Sequence, residues 1–112
     1  MLSKSSKHNV LNFSGGVGGA KLALGLSRVL PSNQLSVVAN TADDFDHFGL
    51  HISPDLDTLM YTLGEVNNRE LGWGLDSETW NMLENLGQLG GETWFQLGDR
   101  DMATHLLRSQ YL

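Results

Sequence analysis

The stretch NVLNFSGGVGGAKLALGLSRVLPSNQLSVVAN, residues 9–40, decides the fold. Asn9 to Ser14 reads as a short strand ending at glycines, and Leu35 to Asn40 as a second strand ending at a polar turn. Between them Leu22, Leu26 and Leu30 recur every four residues, with Ala23 and Val29 beside them, and Pro31 supplies a stop. That spacing is helical. Strand, helix and strand in this order predict a β-α-β unit, two parallel strands joined by a right-handed crossover.

Outward from this unit the chain turns helical. Twenty Leu against one Ile and six Val favour helices over a sheet of many strands. Pro54 at a first helical position is followed by Leu56, Leu59, Met60 and Leu63, and Gly64 ends the run. Asp76 or Ser77 caps a helix carrying Trp80, Leu83 and Leu86, which Gly87 to Gly91 terminate. Trp94 to Leu97 reads as a third strand. Asp99 then caps a last helix with Met102, Ala103, Leu106 and Leu107 as its apolar stripe, a pattern still running at the final residue. The expected fold class is α/β: a Rossmann-like parallel sheet beginning with the β-α-β unit and followed by a mostly helical segment. Residues 1–112 read as the amino-terminal part of one incomplete domain, with 1–8 a loose tail.

Composition narrows the function classes. At 112 residues the chain is one domain at most. No apolar run approaches the ~18–20 residues of a membrane helix, and residues 1–7 lack the apolar stretch of a signal peptide. A cytoplasmic protein with no membrane partner is expected. The absence of Cys excludes disulfides, thiolate metal sites and Cys nucleophiles. A net charge of −6 argues against a nucleic-acid surface. An anionic substrate must be held by a few local donors or a metal.

Three segments carry chemistry. Ser14 to Lys21 (SGGVGGAK) joins the first strand to the first helix, where Gly15, Gly16, Gly18 and Gly19 let backbone amides approach a phosphate and the helix dipole favours negative charge. It is not a Walker A loop, because Ala20 stands where glycine belongs and Leu22 where the magnesium-binding hydroxyl belongs. As a dinucleotide fingerprint it lacks the third glycine that lets helix pack on strand. Asn40 to His47 (NTADDFDH) places three carboxylates at the carboxyl end of the second strand, so that Asp43 or Asp44 could hold a magnesium ion (Mg2+) bridging to a diphosphate. Its alternative is a solvated acidic turn. His47 and His51 sit four apart, but Phe48 replaces the glutamate of a zinc-hydrolase helix.

The third segment is split. In Ser53 to Tyr61 (SPDLDTLMY), Asp57 and Tyr61 stack on one flank of a helix away from Asp55, so Asp57 could point into a cleft. Asp101 and His105 form an ordinary i, i+4 pair. Arg100 lies at a helix start, where a cation is electrostatically unfavoured, which invites an anionic ligand. Trp73, Trp80 and Trp94 read as core or cleft wall.

Taken in order, GGVGGAKLALGL, NTADDF, SPDLDTLMYTL, GWG with ETW, and WFQLGDRDMATHLLRSQ resemble the beginning of the 2-phospho-L-lactate transferase family, which builds the deazaflavin coenzyme F420. A neighbouring family of transferase-like factors shares the glycine and acidic loops but not PDLDT with GDRD. The resemblance implies a transferase acting on small molecules. A lactyl or enolpyruvyl diphosphoguanosine donor gives its phospho-acid to the ribityl hydroxyl of the deazaflavin Fo, and GMP leaves. It implies metal ligation by Asp43, Asp44 and Asp57, with Mg2+ neutralising the diphosphate. Asp57 and Arg100 are the implied catalytic residues, facing the acceptor or bridging it to the metal, and the base that assists the hydroxyl is left open among Asp43, Asp44 and Asp57. Gly15, Gly16, Gly18, Gly19 and Lys21 receive phosphate. Guanine contacts, and the interface of a full-length homodimer, fall beyond these residues. Three readings stand open: the amino-terminal piece of the transferase, a nucleotide-binding regulatory relative without catalysis, and an inactive fragment of either.

Overall fold

A computed structural model describes residues 8–71 and 73–111. Strand β1 (Val10–Ser14) leads into helix α1 (Gly16–Val29), and a single turn of tighter helix (Ser32–Gln34) delivers the chain to β2 (Leu35–Ala39). The two strands pair in parallel from Val10↔Leu35 to Ser14↔Ala39, which is the expected β-α-β unit. Pro31 follows the end of α1, where its missing amide stops helical bonding. The buried stripe of α1 differs from the one read from leucine spacing. Ala20, Ala23 and Leu30 are buried, whereas Leu22 and Val29 are exposed. Alanines face the sheet because helix and strands approach closely: a Cβ on Gly19 would stand 2.7 Å from Ser14 Oγ. Gly19 thus does the packing that a dinucleotide fingerprint assigns to its third glycine.

Beyond β2 the acidic segment is not one loop. Phe45–His47 (β3) and Leu50–Ile52 (β4) form an antiparallel hairpin, closed by Phe48 at φ 51° and Gly49 at φ 75°. Two residues with positive φ match the twist of a tight hairpin. Helix α2 (Pro54–Leu63) follows, starting at Pro54 and ending at Gly64 as its sequence predicts. Leu59 joins Ala20 and Ala23 in a small core against Val37 and Ala39.

Four further expectations are corrected. Helix α3 (Asn81–Gln88) starts after Trp80, so neither Asp76 nor Ser77 caps it. No strand forms at Trp94–Leu97. Helix α4 (Asp99–Tyr111) turns inward not its leucines but the face bearing Asp101, His105 and Arg108; Leu106 and Leu107 are exposed. α2 does likewise, burying Asp57, Tyr61 and Thr62 with Leu59 while Met60 and Leu63 stay open. The outer face of the β1–β2 sheet is also uncovered, with Phe13 75% exposed. No helix among the described residues is long and apolar enough to cross a membrane.

The tight helix-strand approach gives a direct test. Gly19→Ala drives a methyl into Ser14, and such overpacking costs about 1–3 kcal/mol. The melting temperature of the variant, read by circular dichroism, should fall by at least about 4 °C; an unchanged value would show that β1 and α1 are free to part.

Candidate functional site

α2 is the hub because its first turn faces two ways. Ser53, just ahead of the helix, leaves the helix amides uncapped and instead donates to Asp44 Oδ2 at 3.1 Å. One residue into α2, Asp55 accepts the Gly16 amide at 2.6 Å and the Asn40 side-chain amide at 3.0 Å. A carboxylate of the protein itself therefore sits on the positive end of α1, where the glycine loop was expected to hold phosphate. The glycine turn and the acidic loop are joined through this residue.

The expected site residues take several distinct positions. Gly15 lines a shallow crevice with Ser14, Asn40 and Thr41 at the carboxyl ends of β1 and β2. Gly16 is held by Asp55, and a Cβ on Gly18 would meet nothing within 4 Å. Lys21 opens onto another groove, with Arg28, Glu65 and Arg69. Asp43 is exposed, 3.4 Å from the Asn40 amide. Asp44 lies 3.2 Å from His51 Nε2, and its Oδ1 is a buried oxygen with no partner. His47 packs among Phe45, Phe48, Trp94 and Phe95. Asp43, Asp44 and Asp57 do not converge. Among the described residues the three side chains whose ligand atoms lie within 4.8 Å of one another are Asp57, Asp101 and His105.

That second group is built where α2 meets α4. Asp57 Oδ1 accepts a bond from the Arg108 guanidinium, and its Oδ2 lies 3.8 Å from His105 Nδ1. Asp101 Oδ2 lies 3.1 Å from His105 Nε2, while its Oδ1 accepts the Tyr61 hydroxyl, itself 3.1 Å from Thr104 Oγ1. Burial raises the pKa of Asp57, and Arg108 only partly offsets it. For Asp101 burial also pushes upward, but His105 and the Tyr61 hydroxyl outweigh it and hold the carboxyl below its ordinary value. Burial, with Asp101 beside it, raises Tyr61, which stays protonated. Arg108 already supplies the positive partner of Asp57 Oδ1, so a divalent ion at this group would have to share or displace that pairing.

These groups border a cleft of about 510 Å³ whose walls include Asp57, Tyr61, Asp101, Trp73, Trp80 and Phe95. Trp73 and Trp80 are cleft wall, 43% and 40% exposed, as one of the two sequence readings had them. Arg100 does not line the cleft: its guanidinium donates to the Asp76 carbonyl. The cleft floor is fixed by exchanged caps. Glu78 accepts the Arg100 and Asp101 amides at the start of α4, and Asp99 accepts the Asn81 and Met82 amides at the start of α3. Glu78 reaches α4 only because Gly98 has no side chain; a Cβ there would stand 2.2 Å from Glu78 Cδ.

Sequence reasoning passed over Asp55, Tyr61 as a hydrogen-bonding group, His105 and Arg108. A signal for the last two was present. Asp101, His105 and Arg108 recur at i, i+4 and i+7, a polar stripe with the period of a buried face.

The 2-phospho-L-lactate transferase (CofD) family model matches residues 10–112. Proteins named phosphoenolpyruvate transferase are similar in sequence. The one from Streptomyces avermitilis is 49% identical over 104 residues, and that from Streptomyces griseus 48%, each match covering 92% of this chain and 33% of the relative. The Mycobacterium ulcerans protein is 48% identical over 110 residues, covering 88% and 33%. The chain thus spans about a third of the length of these relatives.

The exchanged caps carry a pH signature. Amide and hydroxyl donors, the Met82 amide foremost, lower the Asp99 pKa from 3.8 to about 2. A depressed carboxyl pKa stabilises the fold above the unfolded value, and that contribution fades as pH falls from about 4 toward about 2. Asp99→Ala should lower the melting temperature at pH 7 and flatten its decline across that acid window. An acid decline identical to wild type would remove Asp99 as the cap.

Proposed function

From the premise that the chain belongs to the 2-phospho-L-lactate transferase family, we propose that it forms the acceptor side of a site that transfers a phosphoenolpyruvyl or phospholactyl group to the deazaflavin Fo in coenzyme F420 biosynthesis. The donor is the corresponding guanosine diphosphate-linked acid. The phosphoenolpyruvate transferase names of the relatives favour the enolpyruvyl form. The observation that carries the reading is the cleft itself, which combines aromatic walls at Trp73, Trp80 and Phe95 with the carboxylates of Asp57 and Asp101. Flat apolar walls suit a tricyclic deazaflavin ring, and carboxylates suit the hydroxyls of its ribityl chain.

In the reaction the terminal ribityl oxygen forms a bond to the phosphorus bearing the three-carbon acid. The bond from that phosphorus to the bridging oxygen breaks, and GMP departs. Asp57 takes the proton of the attacking hydroxyl. Burial raises its pKa above that of an ordinary carboxylate and so makes it the stronger base, and Arg108 keeps it oriented. Asp101 and Tyr61 hold the ribityl chain. Positioning and charge neutralisation dominate phosphoryl transfer, so no strong nucleophile is required.

Mg2+ is assigned to Asp43 and Asp44. The unpartnered buried Oδ1 of Asp44 is the kind of hard oxygen donor this ion takes, and the residue is linked to the glycine turn through Ser53 and Asp55. When bound, the ion neutralises the charge of the diphosphate. The glycine loop offers the phosphates its amides other than that of Gly16, which Asp55 holds. Arg100 acts from outside the cleft by fixing the Asp76 carbonyl.

The test is a titration of Fo into the full-length protein with Mg2+, following deazaflavin fluorescence, together with donor turnover. Saturable binding and GMP release are expected. Asp57→Asn should cut turnover by about 100-fold or more, as loss of a general base does, while acceptor binding changes far less. A folded full-length protein that binds guanine nucleotide but neither binds Fo nor releases GMP would instead be the regulatory relative.

A further inference from the structure

We propose that His105 is a positioning residue, a strut beneath the cleft that fixes where Asp57 and Asp101 present their oxygens to the acceptor. The proposal rests on the reading of the cleft as the acceptor site. His105 is 0% exposed and does not line the cleft, so it acts only through its neighbours. Its two ring nitrogens face different carboxylates, Nε2 toward Asp101 Oδ2 at 3.1 Å and Nδ1 toward Asp57 Oδ2 at 3.8 Å. Each carboxylate is gripped at its other oxygen by a second partner, Asp57 by Arg108 and Asp101 by Tyr61. With one oxygen pinned, the remaining freedom of each group is rotation about that contact, and the polar ring nitrogen of His105 that faces the second oxygen of each opposes that rotation.

Space filling alone does not account for an imidazole here. Both ring nitrogens are buried without an aligned hydrogen bond, and sequestering polar atoms in this way costs free energy that an aliphatic side chain would avoid. The ring also lies 6.4 Å from that of Phe95, a wall of the same cleft. One buried side chain therefore touches both halves of the cleft, the carboxylates and the aromatic wall, and sets their spacing.

The test uses His105→Leu and His105→Asn in the full-length protein, with acceptor titration to count binding sites and turnover expressed per site. For the Leu variant, site number and Kd for Fo should stay within about threefold of wild type while kcat per site falls at least about tenfold, the mark of misplaced reacting groups. Asn keeps an amide N–H and should recover most of that loss. Wild-type turnover per site in the Leu variant overturns the proposal, as does an equal loss in both variants that merely follows the amount of folded protein. If the Leu variant does not fold, His105→Asn and His105→Gln replace it: their amides reach different carboxylates, so unequal kcat supports the strut and equal kcat overturns it. Crystal structures of wild type and a folded variant separate this proposal from the one beneath it. A wild type that transfers nothing defeats the transferase reading alone, whereas carboxylates of Asp57 and Asp101 left unmoved in the variant defeat the strut whatever the reaction.

Discussion

The ion pair of Asp57 with Arg108, together with His105 and Asp101 beneath it, is the constraint on which the helical half of the structure depends. It decides which face of α2 and of α4 turns inward, against the leucines that either helix would otherwise bury. Two charges removed from water are costly unless each finds a partner, and removing one partner leaves the other stranded, commonly at 3–5 kcal/mol. Such a network is therefore weak as a source of stability and strong as a selector of geometry. The raised pKa of Asp57 has the same meaning: burial disfavours its charged form, and Arg108 only partly offsets that.

The other half of the molecule is organised by Asp55. Two residues before Asp57 on the same helix, it ties the glycine turn to the end of β2. Opposite sides of one short helix thus serve the phosphate end and the acceptor end of the proposed reaction, and α2 sets the distance between them. This is an economical way to align two substrates, because the spacing depends on the rigid rise of a helix rather than on loop conformation.

How much of this was legible in the sequence follows from which forces were local. The β-α-β unit could be read because strand composition, a four-residue apolar repeat and Pro31 act within neighbouring residues. α2 was legible in its bounds for the same reason, through Pro54 and Gly64. The inward faces were not, because apolar periodicity assumes that leucines go inside, and here Asp57, Tyr61, His105 and Arg108 displaced them through contacts between helices more than forty residues apart in sequence. The β3–β4 hairpin was hidden by Phe48, a residue seldom found at positive φ and unlike the usual hairpin turn signals. Asp99 was recognised as a capping residue but assigned to its own helix. Asp57 was legible as a cleft residue from its flank of α2, whereas Asp55 looked like ordinary pairing with the helix dipole. Family resemblance supplied the reaction, and the convergence of side chains came only from the fold.

The traded carboxylates of Glu78 and Asp99 have a consequence for how the segment from about residue 76 to residue 111 behaves over time. Neither terminus can fray without releasing donors on the other helix, so α3 and α4 should open and close as one cooperative unit. Amide exchange in the two helices would then share a single opening free energy. Any excursion that loosens α3 also carries Asp101 away from the cleft, making admission of a bulky planar guest a collective event and not a matter of swinging one side chain.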